Sequence, residues 1–179
     1  MNGDGLGETL FSAEAIQERV AELGAQVHRD YDGWPLTIVA ILKGSVIFLA
    51  DLARHLGHGV TIELIEASSY GDGTTSSGQV TIQRYGKLDV AGRDVLLLDD
   101  IADTGNTLTA VGRHLRGMGA HSVRTCVLLD KPCRRQVDVA VDYRGFEVGD
   151  DFVVGYGLDH ADRYGTLPYI ARLDPILEA

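Results

Sequence analysis

The run Val95-Leu96-Leu97-Leu98 and the polar turn that follows it constrain this chain more than any other stretch. Four apolar residues ending in two adjacent carboxylates, Asp99 and Asp100, have the content of a strand buried on both faces. The apolar spacing then changes period. Leu108, Val111, Leu115 and Met118 recur every three to four residues, which predicts a helix starting near Thr107.

Between strand and helix lies Asp103-Thr104-Gly105-Asn106-Thr107. A helix start presents unpaired N–H groups and a partial positive charge, and the hydroxyls of Thr104 and Thr107 add donors converging on one point. Such a turn suits a phosphate monoester. The triphosphate-binding string Gly-x-x-x-x-Gly-Lys-Ser/Thr does not occur. Asp99 and Asp100 would repel a phosphate, so they should face something else, such as the hydroxyls of a sugar whose phosphate sits in the turn. Phosphate below and diol above describes a ribose 5-phosphate. A plainer reading needs no ligand: the acids end a strand, while Asp103 and Thr104 cap the next helix.

Composition agrees with one compact α/β domain over residues 10–179, behind a flexible N-terminus at residues 1–9. The chain has 179 residues, 45% of them hydrophobic, and its 22 glycines predict long ordered loops. A net charge of −10 argues against nucleic-acid binding and means that an anionic substrate needs lysine, helix ends or a divalent cation. Cys126 and Cys133 form no disulfide framework or metal-ligand spacing, which fits a reducing compartment. With neither a secretory signal nor an apolar run near the ~20 residues of a membrane span, the expected location is the cytoplasm, with no membrane partner.

Elsewhere, Ser12 is placed to cap a helix from Ala13 to about His28, and Asp32-Gly33 to turn the chain. The strand Leu36 to Leu42 ends in Lys43-Gly44-Ser45, ahead of a second helix to about Leu56 that Gly57 stops. Val60 to Ala67 reads as a strand and Val80 to Gln83 as its returning partner. The small polar residues between them predict a segment that moves when nothing is bound. Ser122 to Leu129, Val137 to Tyr143, Phe152 to Tyr156 and Leu167 to Leu173 supply further strands, with Gly145 to Asp151 as an acidic connection. Lys43, like the acids, stands at a strand's carboxyl end before a helix, where open α/β sheets place ligands. Arg134 and Arg135 read as solvated loop residues.

The string Leu-Leu-Leu-Asp-Asp-Ile-Ala-Asp-Thr-Gly-Asn-Thr (96–107) resembles the phosphoribosyl-pyrophosphate signature of the type I phosphoribosyltransferases. Ile-Leu-Lys-Gly-Ser (41–45) resembles the pyrophosphate loop of the hypoxanthine-guanine members, where the peptide bond before the lysine is often cis. From about Ile38 to Leu173 four such motifs follow in the family's order. The resemblance implies the type I fold: a twisted, mainly parallel sheet flanked by helices, with a small hood and a lid loop. It also implies transfer of 5-phosphoribosyl from phosphoribosyl pyrophosphate to N9 of a 6-oxopurine, in a homodimer or homotetramer using Mg2+.

Residue by residue, the resemblance makes Asp103 the catalytic acceptor of the purine N7 proton. An aspartate's reference pKa of about 3.9 makes it a weak base, so a charged hydrogen bond carries much of that role. Lys43 and Gly44 would meet the pyrophosphate, and Ser69 and Tyr70 belong to the lid. Asp99 and Asp100 would hold the ribose hydroxyls, and Thr104, Gly105, Asn106 and Thr107 the phosphate. Lys131, donor-only, would select a carbonyl-bearing base over adenine. Phe152 would stack on the base and the backbone near Val153 would read its edge. Asp159, with Asp99 and Asp100, would serve magnesium. Three departures stand out: Asp99 replaces the usual glutamate, Gly165 stands where many members carry a pyrophosphate-contacting arginine that Arg163 could replace, and Gln83-Arg84-Tyr85-Gly86 replaces an acidic stretch. Two other classes remain open: a phosphoribosyl-pyrophosphate sensor without turnover, and a phosphoacceptor receiver domain, whose acid pair should follow the first strand.

Overall fold

The computed structural model describes residues 5–31, 35–69, 80–85 and 87–174. The expected turn at Asp32-Gly33 and most of the expected lid, Tyr70 included, lie outside these residues.

Two sheets form. The larger contains β2 (Leu36–Leu42), β3 (Val60–Ser69), β4 (Val80–Arg84), β5 (Asp94–Ala102), β6 (Ser122–Asp130) and β7 (Tyr143–Glu147), in the order β4-β3-β2-β5-β6-β7. All its pairs are parallel except β3 with β4. The smaller, antiparallel sheet joins β1 (Leu6–Phe11), β9 (Ile170–Leu173) and β8 (Val153–Val154), in that order.

Alternation along the inner strands assigns the helices to faces. Ile38, Ala40, Leu96 and Leu98 pack with α1 (Ala13–Asp30) and α2 (Val46–Arg54), whereas Val39, Ile41, Val95 and Leu97 pack with α3 (Asn106–Gly117). Burying each such side chain contributes about 1.5–3 kcal/mol, and a slip of one residue would exchange the two faces, so the register is firmly set. Ser12 caps α1, its Oγ accepting from the Ala15 amide at 3.2 Å. Gly57 closes α2 with φ +75°.

The structure corrects the sequence reading in four places. Leu6 to Thr9, within the segment expected to be a flexible N-terminus, open β1, whose partner, β9, comes from the far end of the chain. The central strand runs through Asp99 and Asp100 to Ala102 instead of stopping at them. Val137 to Asp142 does alternate, with half-buried valines at 137, 139 and 141, yet it joins no strand ladder; the ladder to β6 starts at Tyr143, so β7 takes in Gly145 and the expected acidic connection shortens. The strand expected from Phe152 to Tyr156 narrows to two residues because positive φ at Tyr156 and Gly155 turns the chain away.

Candidate active site

The β2–β5 ladder ends at Ala40 and Leu98, while β5 remains paired with β6 to Ala102 and β2 with β3 to Leu42. The strands that part there carry helices on opposite faces, so the gap is the switch point of the sheet, where α/β folds bind ligands. It holds a crevice of about 380 Å³, lined from one side by Ile41, Leu42 and Gly44 and from the other by residues 99–105, Thr107 and Leu108. Thus Gly44, Asp99, Asp100, Asp103, Thr104, Gly105 and Thr107, dispersed in sequence, share one wall-to-wall site.

Asp99 is 8% exposed and Asp100 half-buried. Their charges are met partly by backbone: Oδ1 of Asp99 accepts from the Asp100 amide at 3.0 Å, and Oδ1 of Asp100 from the Ile101 amide at 2.8 Å. Burial pushes Asp99 well above the usual carboxylate range, and the Asp100 charge adds to it. Burial likewise raises Asp100, opposed by its hydrogen bonds and reinforced by the negative charge of Asp159. Gly44 permits this packing, since a Cβ there would fall on the Asp100 carboxylate. The bond between Leu42 and Lys43 is cis, as expected. Lys43 is exposed, and its ammonium has no ionic partner among the described residues.

Gly105 opens α3 with φ +85°, and a Cβ on it would press on Val139 and the Val137 carbonyl, so glycine is required twice over. No side chain caps the helix there and its first turn holds no acid, which leaves the N–H groups free for an anion. Thr104 Oγ1 accepts only a long 3.4 Å contact from the Asn106 amide. The Asn106 side chain turns away, donating to Gln136 Oε1 at 3.0 Å, so only its backbone can serve the crevice.

A second group assembles from β6 and the small sheet. Lys131 is 6% exposed and its Nζ donates to the Asp151 carbonyl at 2.5 Å, which brings the ammonium beside Phe152 and Val153. Val153 is buried, but Phe152 is 44% exposed and so free of the core. His160 stands edge-on to its ring, with centroids 5.2 Å apart.

The family model of the phosphoribosyl transferase domain matches residues 7–161. A hypoxanthine-guanine phosphoribosyltransferase of Bacillus subtilis (strain 168) is 46% identical over 169 residues, covering 94% of this chain and 93% of the relative. This chain belongs to the hypoxanthine-guanine phosphoribosyltransferase family. The Mycobacterium tuberculosis (strain H37Rv) member is 44% identical, with 93% of this chain and 85% of that one covered. The crystal structure of a hypoxanthine phosphoribosyltransferase from Staphylococcus aureus superposes with a TM-score of 0.94 at 41% identity, over 100% of this chain and 99% of that one.

Against that family pattern, Arg163 does not line the crevice: its guanidinium lies 5.1 Å from the centre of the Tyr164 ring. Gly165, at the family's arginine position, packs beside Asp159, with room for a Cβ 3.4 Å from that residue's Cβ. Asp159 is exposed and its Oδ2 accepts from the Asp162 amide at 3.0 Å. Ser69 ends β3, its backbone paired with Val80. The solvated reading holds for Arg134, which is exposed, but not for Arg135 in this phosphoribosyltransferase. Arg134 pairs with Asp103 and Asp150, and Arg135 reaches Asp130 and the carbonyls of Ala102 and Asp103. Charge alone gave no sign of either, because both contacts depend on a non-local approach of the 131–137 segment to the turn.

Proposed function

We propose that this chain transfers 5-phosphoribosyl from phosphoribosyl pyrophosphate to N9 of hypoxanthine or guanine, giving IMP or GMP and pyrophosphate in purine salvage. The observation that carries the reading is the crevice at the parting of β2 and β5, with an acid pair on one strand end, an uncapped helix start beside it and a lysine-tipped slot close by. Bond breaking at the sugar precedes much bond making, so positive charge grows on the ribose and negative charge on the departing group. Asp99 and Asp100 hold the ribose hydroxyls and set negative potential beside the cationic sugar. The 5-phosphate lies in Thr104–Thr107, on the amides at the start of α3. Lys43 and the loop around Gly44 receive the charge of the pyrophosphate, with Arg163 as a further cation near the hood.

Asp103 accepts the N7 proton, Phe152 stacks on the purine, the Val153 backbone reads its edge, and Lys131 donates to its 6-carbonyl. Ser69 and Tyr70 belong to the lid that excludes water from the reacting sugar.

Among the described residues no three His, Cys, Asp or Glu side chains form a ready cation cage. That donor set still fits magnesium, which keeps several waters and takes few carboxylates, and a dication would offset the burial that opposes ionisation of the acid pair. Asp159, through pyrophosphate and water, with Asp99 and Asp100, would hold the ion, which when bound supplies charge neutralisation at the leaving group.

No helix among the described residues is long and apolar enough to cross a membrane. Two free thiols support a cytoplasmic enzyme, and the family supports a homodimer or homotetramer of single-domain chains. Incubating the protein with donor, Mg2+ and each of hypoxanthine, guanine, xanthine and adenine tests the activity. Nucleotide from the 6-oxopurines and none from adenine is expected. Donor binding without nucleotide would favour the sensor reading, which the glycine at 165 keeps in view.

A further inference from the structure

The phosphate turn is gripped from behind. Ala102 O accepts from the Lys131 amide at 2.9 Å and from Arg135 Nη1 at 2.7 Å, Asp103 O accepts from the same Nη1, and Thr104 O accepts from the Gln136 amide at 3.0 Å. Three successive carbonyls therefore face the 131–137 segment. In a planar trans peptide each N–H points opposite to the carbonyl before it, so the amides of residues 103, 104 and 105 are turned the other way, toward the crevice that these residues line. Arg135 is itself fixed. Its Nη2 pairs with Asp130, which is 4% exposed, and the other oxygen of that carboxylate accepts from Arg144 at 3.1 Å.

We propose that Arg135, clamped on the buried Asp130 carboxylate, is a positioning residue that aims the turn's amides at the substrate phosphate. This deepens the phosphoribosyl reading and rests on it. A guanidinium is required because one planar fork must serve two carbonyls and a carboxylate together; a lysine ammonium keeps the charge without that geometry.

The test measures guanosine 5-monophosphate binding by calorimetry to the wild type and to Arg135→Lys, Arg135→Gln and Arg144→Ala, with steady-state KM values for donor and base. Arg135→Lys and Arg135→Gln are expected to weaken monophosphate binding roughly tenfold or more and to raise donor KM similarly, with purine KM within about twofold. Arg144→Ala, which leaves the fork in place, should stay within about twofold on all three. Should Arg135→Gln fail to fold, Arg135→Lys decides. Monophosphate affinity in the Lys variant equal to that of the wild type, or equal losses for donor and base, overturns the proposal. Wild-type protein that binds monophosphate but makes none defeats the transfer reading alone, because calorimetry needs no turnover; wild type that binds none defeats both.

Discussion

Arg134 Nε lies 3.0 Å from Oδ1 of Asp103, and Nη1 of the same guanidinium lies 3.0 Å from Asp150. The approach to Asp103 is a charge contact, not an aligned hydrogen bond: Oδ1 is shielded from solvent and accepts no directed donor among the described residues.

Replacing Asp103 by Asn removes the acceptor charge while keeping the side chain's shape. Turnover should fall by roughly 10² or more with donor KM nearly unchanged. Arg134→Gln should cost far less, since the pair is exposed and screened by solvent. Steady-state kinetics on both variants check this, and full turnover in Asp103→Asn removes the residue from the mechanism.

The acid pair makes stability depend on pH. Burial favours the neutral acids in the folded chain, so below the ordinary aspartate value of 3.8 both folded and unfolded states hold their protons and this stabilisation is intact. As pH rises the unfolded chain releases its protons first, and stability drops until the folded pair ionises. Without ligand, the melting temperature of the wild type should therefore fall more from pH 4 toward neutrality than that of Asp99→Asn, and the variant should be the more stable of the two at pH 7. Parallel melting curves across that range would contradict the burial argument.

Lys131→Met removes the ammonium from the proposed purine slot but keeps most of the buried stem. Losing a charged hydrogen bond costs about 1.5–3 kcal/mol, so KM for hypoxanthine and guanine should rise by roughly 10- to 100-fold. Donor KM should stay close to the wild-type value. A base KM that does not move would place the 6-carbonyl elsewhere.

Gly165→Arg returns a cation to the edge of the site beside Asp159. One charged hydrogen bond to pyrophosphate of about 1.4 kcal/mol would lower donor KM roughly tenfold. An unchanged donor KM in a folded variant would show that this chain binds pyrophosphate without that contact.

Much of this architecture was legible in the residues. The change from a continuous apolar run to a helical period located β5, the turn and α3, because both periods are local consequences of backbone geometry. What escaped was non-local. Leu6–Phe11 becomes a strand only because residues 170–173 arrive to pair with it, and Val137 to Asp142 alternates like a strand but meets no strand to form a ladder with. Arg135 belongs to the same class: the two carbonyls it holds lie 33 and 32 residues upstream, and no spacing announces them.

The backbone of Gly157, near β8, rests directly on the carbonyl of Gly44, with no space for a Cβ between them. Two bare main chains in contact have no rotamer to absorb a displacement. The small sheet and the lysine loop therefore cannot draw any closer there, and a methyl group added to Gly157 would force them apart.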